Sequence, residues 1–168
     1  MSSTLQPGGD TIDYRKLFET LAEGVVIHDA QGLIIDANPA ALELLGLSLD
    51  QMKGRSSIDP RWHAIHLDGS DFPGEEHPAQ VALRTGKPVT EVPMGVFNPK
   101  KNDYTWLLIN ATPTQEAGSQ GPVSVYASFT DITKKVFAEQ KLKEETELHQ
   151  TLVEVSSAFI NLSEKEIK

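Results

Sequence analysis

One irregular stretch of the chain concentrates side chains that can ligate a metal ion. Residues 63–77 contain imidazole and carboxylate groups, both of which bind divalent cations, at His63, His66, Asp68, Asp71, Glu75, Glu76 and His77. The spacing matches no recognisable metalloenzyme pattern, and Gly69 stands where a calcium loop would need a ligand. The pattern therefore favours a solvated acidic loop, and we assign no metal site.

A second candidate for chemistry is His28, which ends a β-branched run. Side chains alternate between the two faces of a strand, so Val26 and His28 share one face while Val25 and Ile27 share the other. A buried imidazole needs a hydrogen-bond partner. A ligand carboxylate or carbonyl, a haem iron or a neighbouring side chain could each supply it. Trp62 could stack on a ligand or hold its loop against the core.

The residue content excludes several kinds of chemistry. The 168 residues include no cysteine, which excludes thiol catalysis, thiolate metal sites and cysteinyl-flavin photochemistry. The sequence also contains no phosphate-binding Gly-rich loop and no nucleophile elbow. We expect that the chain is not an enzyme and that any catalytic output, such as a kinase or a diguanylate cyclase, lies beyond Lys168.

The charge balance limits the partners. Acidic residues number 24 against 15 basic ones, a net charge of −9. No cluster of Lys and Arg offers a nucleic-acid surface, and an acidic surface would repel anionic lipid. No apolar run approaches the roughly 20 residues of a membrane span. We expect a cytoplasmic protein segment that binds no nucleic acid and does not insert into a membrane.

Periodicity and turn chemistry predict the elements that would position these residues. Helical segments are indicated at 14–21, 39–45, 49–53 and 78–85, and strands at 25–28, 33–37, 89–97, 104–112 and 123–129. Asn38 before Pro39, and Ser48 before Gln51, are typical N-terminal caps. The order predicts an α+β fold: a five-stranded antiparallel sheet with a helical crossover between strands 2 and 3.

From Lys134 onward, Gly and Pro are absent while Glu and Lys dominate. This composition predicts a long C-terminal helix that leaves the domain. Its heptad seam would be Ala138, Leu142, Glu145, His149, Leu152, Ser156 and Phe159. Because polar residues interrupt that seam, any coiled coil would be weak.

Two short motifs carry a resemblance to a known family. Gly24–Asp29 with Gly32–Ala41 resembles the opening of a PAS domain, a bacterial sensory module, and Asp131–Thr133 resembles the Asp-x-Thr that joins such domains to a signalling helix. The segment Asp68–Pro78 resembles a PAS subgroup of multidomain signalling proteins. Residues 152–162 resemble the leading helix of a GAF domain, although an amphipathic linker helix would have the same pattern.

The resemblance implies a division of the chain and a site. Residues 1–13 would be a flexible N-terminus, 14–133 the PAS sensory domain, and 134–168 a signalling or linker helix that leads towards a GAF domain. His28 would face a cavity between sheet and helices, with the helix at 78–85 as its lid. The candidate pocket residues are Val26, His28, Met94, Val96, Leu107, Ile109, Val125 and Phe129. Asp131 and Thr133 would transmit the signal.

The same resemblance implies a function with two versions. In the first, the chain is the sensory input and dimerisation module of a signal-transduction protein, such as a two-component system, and binds a small molecule of unknown identity. Haem is disfavoured, because haem-binding relatives take their axial His from the crossover helix and residues 79–85 contain none. A carboxylate ligand would bind more strongly as pH falls through about 6.5.

In the second version the chain is a ligandless dimerisation and relay module, and the pocket residues are ordinary core residues without a cavity. Both versions predict a homodimer, with an output domain elsewhere in the full-length protein. Apolar side chains on the first helix and on the outward face of the sheet would be covered by that helix and a second subunit. They are Leu17, Phe18, Leu21, Trp106 and Leu108.

Overall fold

The computed structural model describes residues 13–59, 62–116, 118 and 121–166, with side chains described as far as Ser157. The predicted flexible segment 1–13 therefore lies outside the described residues except for Asp13. The chain divides into two compact units, one ending at Thr130 and one beginning at Asp131.

The first unit is built on a six-stranded sheet with the order β2-β1-β6-β5-β4-β3. The strands are β1 Gly24–Asp29, β2 Ile34–Ala37, β3 Ala64–Ile65, β4 Val89–Asn98, β5 Asp103–Thr114 and β6 Ser124–Asp131. β1 pairs antiparallel with β2 and β6, and β4 pairs antiparallel with β3 and β5. The α+β fold class is confirmed. The sheet has one more strand than predicted, because the two residues of β3 are too few to show a period.

The described residues of this unit form four helices, and three of them make up the predicted crossover. They are α1 Tyr14–Thr20, α2 Pro39–Leu45, α3 Leu49–Met52 and α4 Pro78–Thr85, with a single 3₁₀ turn at Gly74–Glu76. Asn38 and Ser48 cap α2 and α3 as expected, and Ser48 forms the full capping box with Gln51. α2 ends at Gly46, whose φ of 68° is a backbone conformation that glycine adopts without strain.

The fully buried side-chain amide of Asn38 connects α2 to β1 and to the end of α1. Its Oδ1 accepts from the backbone amides of Val25 at 2.8 Å and Ala41 at 3.0 Å. Its Nδ2 donates to the carbonyls of Phe18 at 3.2 Å and Glu23 at 2.8 Å. One side chain thus satisfies backbone groups from β1, α2 and the end of α1.

Strand β4 keeps a continuous register with β5 from Val92 to Asn98, and the irregularity lies between Val89 and Val92. Glu91 in that interval has a φ of 56°. On the side facing β3, the Phe97 amide donates to the His63 carbonyl. Because amides alternate along a strand, the nitrogen of Pro93 faces the same outer edge, where its missing N–H breaks no bond to β5.

The core forms two clusters of buried side chains. The larger lies between the sheet and helices α2 and α3, and includes Val26, Leu45, Met52, Leu107 and Phe129. The smaller packs Ala79 and Ala82 of α4 against Ala111, Val125 and Ala127 of the sheet. Small alanines on both sides bring α4 close to β5 and β6.

The second unit is one long helix, α5 Thr133–Glu166. Exposed ion pairs between residues four positions apart lie along this helix, such as Lys135 with Glu139 and Lys143 with Glu147. Leu142 and Leu152, both predicted seam residues, are exposed. No helix within the described ranges combines the length and the hydropathy of a membrane span.

Candidate functional site

The larger core cluster lines a cavity that is partly open to solvent. The centre of a water molecule can move through about 80 Å³ of it, whereas a single water needs only about 10–15 Å³ on this measure. The cavity therefore has room for several waters or for one small molecule. Its walls come from β1, β2, α2, α3 and the three longest strands, together with Ser57, Trp62, Ala64 and His77.

The structure brings together seven of the eight side chains predicted to form a pocket. Val26, His28, Met94, Val96, Leu107, Ile109 and Phe129 all line this cavity. The remaining lining residues are Ile34, Leu45, Met52, Ser57, Trp62, Ala64, His77 and Ala127. Met94 and Val96 face inward, since the irregularity of β4 precedes Val92 and the register from Val92 onward is continuous.

Two parts of the predicted pocket lie elsewhere. Val125 is fully buried but belongs to the smaller cluster, against the alanines of α4. Alternation placed it on the correct face of β6, but it is located beyond the end of the cavity. No residue of Pro78–Thr85 lines the cavity, so α4 is not its lid. Leu45 of α2 and Met52 of α3 cover it instead.

His28 is the most deeply placed polar group of the cavity. The side chain is 4% exposed, and Nδ1 has no hydrogen-bond partner among the described residues. Burial lowers the pKa of His28 from 6.5 to about 4, against smaller opposing effects of the Asp29 carboxylate and the Val125 backbone. The imidazole is therefore neutral near neutral pH. This corrects the expectation that binding strengthens as pH falls through 6.5, since burial disfavours the imidazolium.

Trp62 contributes a second polar atom. Its ring packs against the larger cluster, as predicted for a residue that holds its loop to the core, and it also lines the cavity. The indole Nε1 is buried and has no partner within the described part of the chain. Both interpretations of Trp62 are therefore compatible with its position.

The stretch 63–77 is only partly the solvated loop predicted. Asp68, Asp71, Glu75 and Glu76 are exposed, and the described residues contain no grouping of three His, Asp or Glu side chains suited to a metal ion. His77, in contrast, is buried and lines the cavity.

Aromatic packing explains the burial of His77. The His66 ring stacks on Phe72 with centroids 3.9 Å apart, and the His77 ring meets the same Phe72 edge-on at 5.4 Å. His77 Nε2 lies 3.1 Å from the Phe72 carbonyl, and burial lowers the pKa of His77. A His directly before the helix-starting Pro78 is the sequence signal that could have suggested an inward position.

The predicted transmission residues lie where β6 passes into α5. Asp131 Oδ1 accepts a hydrogen bond from the Thr133 amide at 2.8 Å. Thr133 is the first residue of α5, so the carboxylate satisfies one of the free amides of the helix start. Phe129, two residues before Asp131, lines the cavity. Only four positions along the chain therefore separate the cavity residue Phe129 from Thr133, the first residue of α5.

Sequence comparison identifies the family. The family model described as "PAS fold" matches residues 12–125, which is most of the first unit. The chain therefore belongs to the PAS fold family. The match ends before residues 152–162, and no comparison supports their resemblance to a GAF domain.

A short stretch also matches a bacterial kinase. The chain is 44% identical over 48 residues to sporulation kinase E of Bacillus subtilis, an alignment that covers 29% of this chain and 6% of the kinase. The chain therefore spans only a small part of that relative.

Solved structures share the fold. The PAS domain of a Colwellia psychrerythraea protein superposes with a TM-score of 0.55 at 24% identity, covering 72% of this chain and 95% of that domain. A domain of a sensory box sensor histidine kinase/response regulator from Geobacter sulfurreducens gives 0.52 at 22% identity, with 70% and 90% covered. PAS domains are sensory modules, so a signal-sensing role follows for this chain.

Proposed function

We propose that this chain is the ligand-responsive input module of a signal-transduction protein. A small molecule would occupy the cavity and act as the signal. The observation that carries the proposal is the unpartnered Nδ1 of His28, which is buried in the wall of a cavity large enough for a guest. Leaving a buried nitrogen unpaired is unfavourable, so a guest that pairs with it would bind with a gain in free energy.

The proposed signal travels along β6 to α5. A guest in contact with Phe129 would shift the end of β6, and Asp131 would carry the shift to the first turn of α5 through its bond to Thr133. A capping bond of this kind contributes about 1 kcal/mol, so a small energy difference can change the population of the first turn. Any catalytic output would lie in another part of the full-length protein.

Native mass spectrometry of the purified chain tests the proposal. We expect an adduct of one small molecule that is lost on denaturation. His28→Phe keeps the ring size and removes the nitrogen, and should abolish the adduct. His63→Phe makes the same substitution at an exposed ring outside the cavity, and should retain it.

The competing version is a ligandless relay module that works through dimerisation alone. It would be favoured if the wild-type chain carries no adduct and if small aromatic probes also fail to bind. Retention of an adduct by His28→Phe would instead show that the guest sits elsewhere, which would contradict the site but not the sensory role.

A further inference from the structure

Four residues carry a buried polar side-chain atom that has no hydrogen-bond partner within the described residues, and two of these residues line the same cavity. The unpaired atoms of these two are His28 Nδ1 and Trp62 Nε1, while the other two residues, Gln80 and Thr105, lie outside the lining. Buried polar groups are nearly always paired. Because both rings line one cavity, an occupant that reaches the two nitrogens would supply the missing partners.

The chemistry of the two nitrogens restricts that occupant. An indole N–H only donates, so the occupant must present an acceptor to Trp62. A neutral imidazole nitrogen donates or accepts according to its tautomer, so His28 accommodates either a donor or an acceptor. Most of the remaining lining is apolar, including Leu107, Ile109 and Phe129, which favours a ring or a short hydrocarbon body.

Among the residues that the structure describes, the cavity lining offers no side chain that balances a charge, since it contains no Lys, Arg, Asp or Glu. Asp29, next to His28, directs its Oδ1 to the amides of Gln31 and Leu33, each at 2.9 Å. Burial lowers the pKa of both His28 and His77, so neither ring supplies a positive charge near neutral pH. An anion would lose its hydration without gaining a counter-ion.

We propose that the cavity selects an uncharged molecule of single-ring size, with a hydrogen-bond acceptor for Trp62 and a polar group for His28, and that it rejects carboxylates of the same shape. This inference rests on the proposed function and specifies its ligand class. Neutral aromatic amides represent this class.

Three probes of similar shape test the inference by calorimetric titration of the full 168-residue chain. Benzamide is neutral with an acceptor, benzoate is anionic at about pH 7.5, and toluene has no polar group. We expect benzamide to bind about tenfold more tightly than either of the others, since it alone pairs the buried nitrogens without burying a charge.

Single substitutions show whether the two nitrogens cause the preference. Trp62→Phe and His28→Phe should each reduce the preference for benzamide over toluene, while toluene affinity stays within about threefold of the wild-type value. Retained toluene binding shows that each variant still folds around its cavity. Trp106→Phe, the matched change at the other tryptophan of the chain and outside the lining, should leave the preference unchanged.

The outcomes separate this inference from the proposed function. Equal binding of benzamide and toluene, or tighter binding of benzoate, would overturn the ligand class while leaving the cavity as a binding site. Binding of benzamide that is unaffected by both variants would do the same. Failure of all three probes would overturn the ligand class, and together with the absence of an adduct in native mass spectrometry it would overturn the proposed function as well.

Discussion

His28 places a titratable ring where its charged form is unfavourable. The ring is 4% exposed and its pKa is lowered from 6.5 to about 4, with burial as the main cause. In the unfolded chain the same ring takes up a proton near pH 6.5. Between these two values the unfolded state binds more protons than the folded state. The contribution of His28 to the free energy of unfolding is therefore fully present above about pH 6.5 and falls as the pH decreases towards 4.

We therefore expect His28→Phe to remove part of the acid sensitivity of the fold. Relative to the variant, the wild-type chain should lose up to about 1.4 kcal/mol per pH unit between pH 6.5 and 4, roughly 3 kcal/mol in all. Urea unfolding of both proteins at several pH values measures the difference. Because His77 remains in the variant, its own contribution cancels in the comparison. A difference that does not change with pH would show that the His28 ring is hydrated.

Single residues were predicted best where a strand period applied. The resemblance to PAS domains indicated which face of β1 meets the cavity, and alternation along β1, β4, β5 and β6 then gave seven residues that line it, because a buried strand face leaves little choice of orientation. It gave Val125 the correct face but could not tell where along β6 the cavity ends. Trp62 and His77 lie in irregular backbone, which has no period, so sequence reasoning identified them as candidates without placing them in the cavity.

At the scale of elements, the turn that ends α2 depends on one glycine. Gly46 has a φ of 68°, and a Cβ there would collide with the side-chain amide of Asn98. That amide is buried and donates to the Leu44 carbonyl at 2.9 Å, which connects the end of α2 to the end of β4. Glycine at this position therefore both adopts the positive φ without strain and leaves room for the Asn98 amide.

Gly46→Ala should destabilise the fold by about 3 kcal/mol or more, since backbone strain and overpacking add. Gly54→Ala is the matched control, because Gly54 has a similar φ of 74° and nothing within 4 Å of the added carbon. The control should cost only about 1–2 kcal/mol. Thermal unfolding of both variants tests this, and equal losses would mean that Asn98 moves aside freely.

The junction between β6 and α5 provides a second test on an element. Asp131→Ala removes the bond to the Thr133 amide and should cost about 1 kcal/mol. We expect faster amide hydrogen exchange in the first turn of α5, with little change in the sheet. Asp131→Asn keeps an acceptor and should behave nearly as the wild type. Unfolding of the whole domain by Asp131→Ala would assign the residue a structural role and would contradict the transmission proposal.

Elements with a start and a stop signal were predicted almost to the residue. Asn38, Pro39 and Gly46 set the limits of α2, and Ser48 with Gln51 set the start of α3, because capping bonds are local. The lid was assigned wrongly to α4, because which helix covers a cavity depends on packing over long sequence distances. The alanines of α4 favour close packing on the sheet, and that contact leaves no space for a guest beneath it.

At the scale of the whole molecule, exposed apolar side chains on α1 and directly after it are candidates for a contact with a second subunit. Leu17 is 52% exposed and Leu21 39%. α1 contacts α2, and Arg15 pairs with Asp36 at 3.0 Å. Trp106, which was expected to need a second subunit as cover, is already buried within the single chain. Leu108, predicted with it, is half-buried. The proposed dimer surface is therefore centred on α1.

We expect a dimer in sedimentation experiments at concentrations of tens of micromolar, on the order of a weak signalling interface. Leu17→Glu should shift the chain towards monomer, because a charge would be buried in the contact. Leu67→Glu changes a similarly exposed leucine in a loop of the first unit and should not. A wild-type chain that sediments as a monodisperse monomer would contradict the dimer.

The outer edge of β4 affects how readily the chain aggregates. This strand has ten residues; β3 pairs with Gly95 and Val96, and the Phe97 amide is bonded to the His63 carbonyl. No described strand pairs with this edge from Val89 to Met94, which leaves that part open to strands from other molecules. Pro93 presents no N–H on that edge, and Glu91 adds a charge at the irregular part of the strand. Both features oppose the addition of a foreign strand, so the backbone that supports the cavity is also protected against aggregation into fibrils.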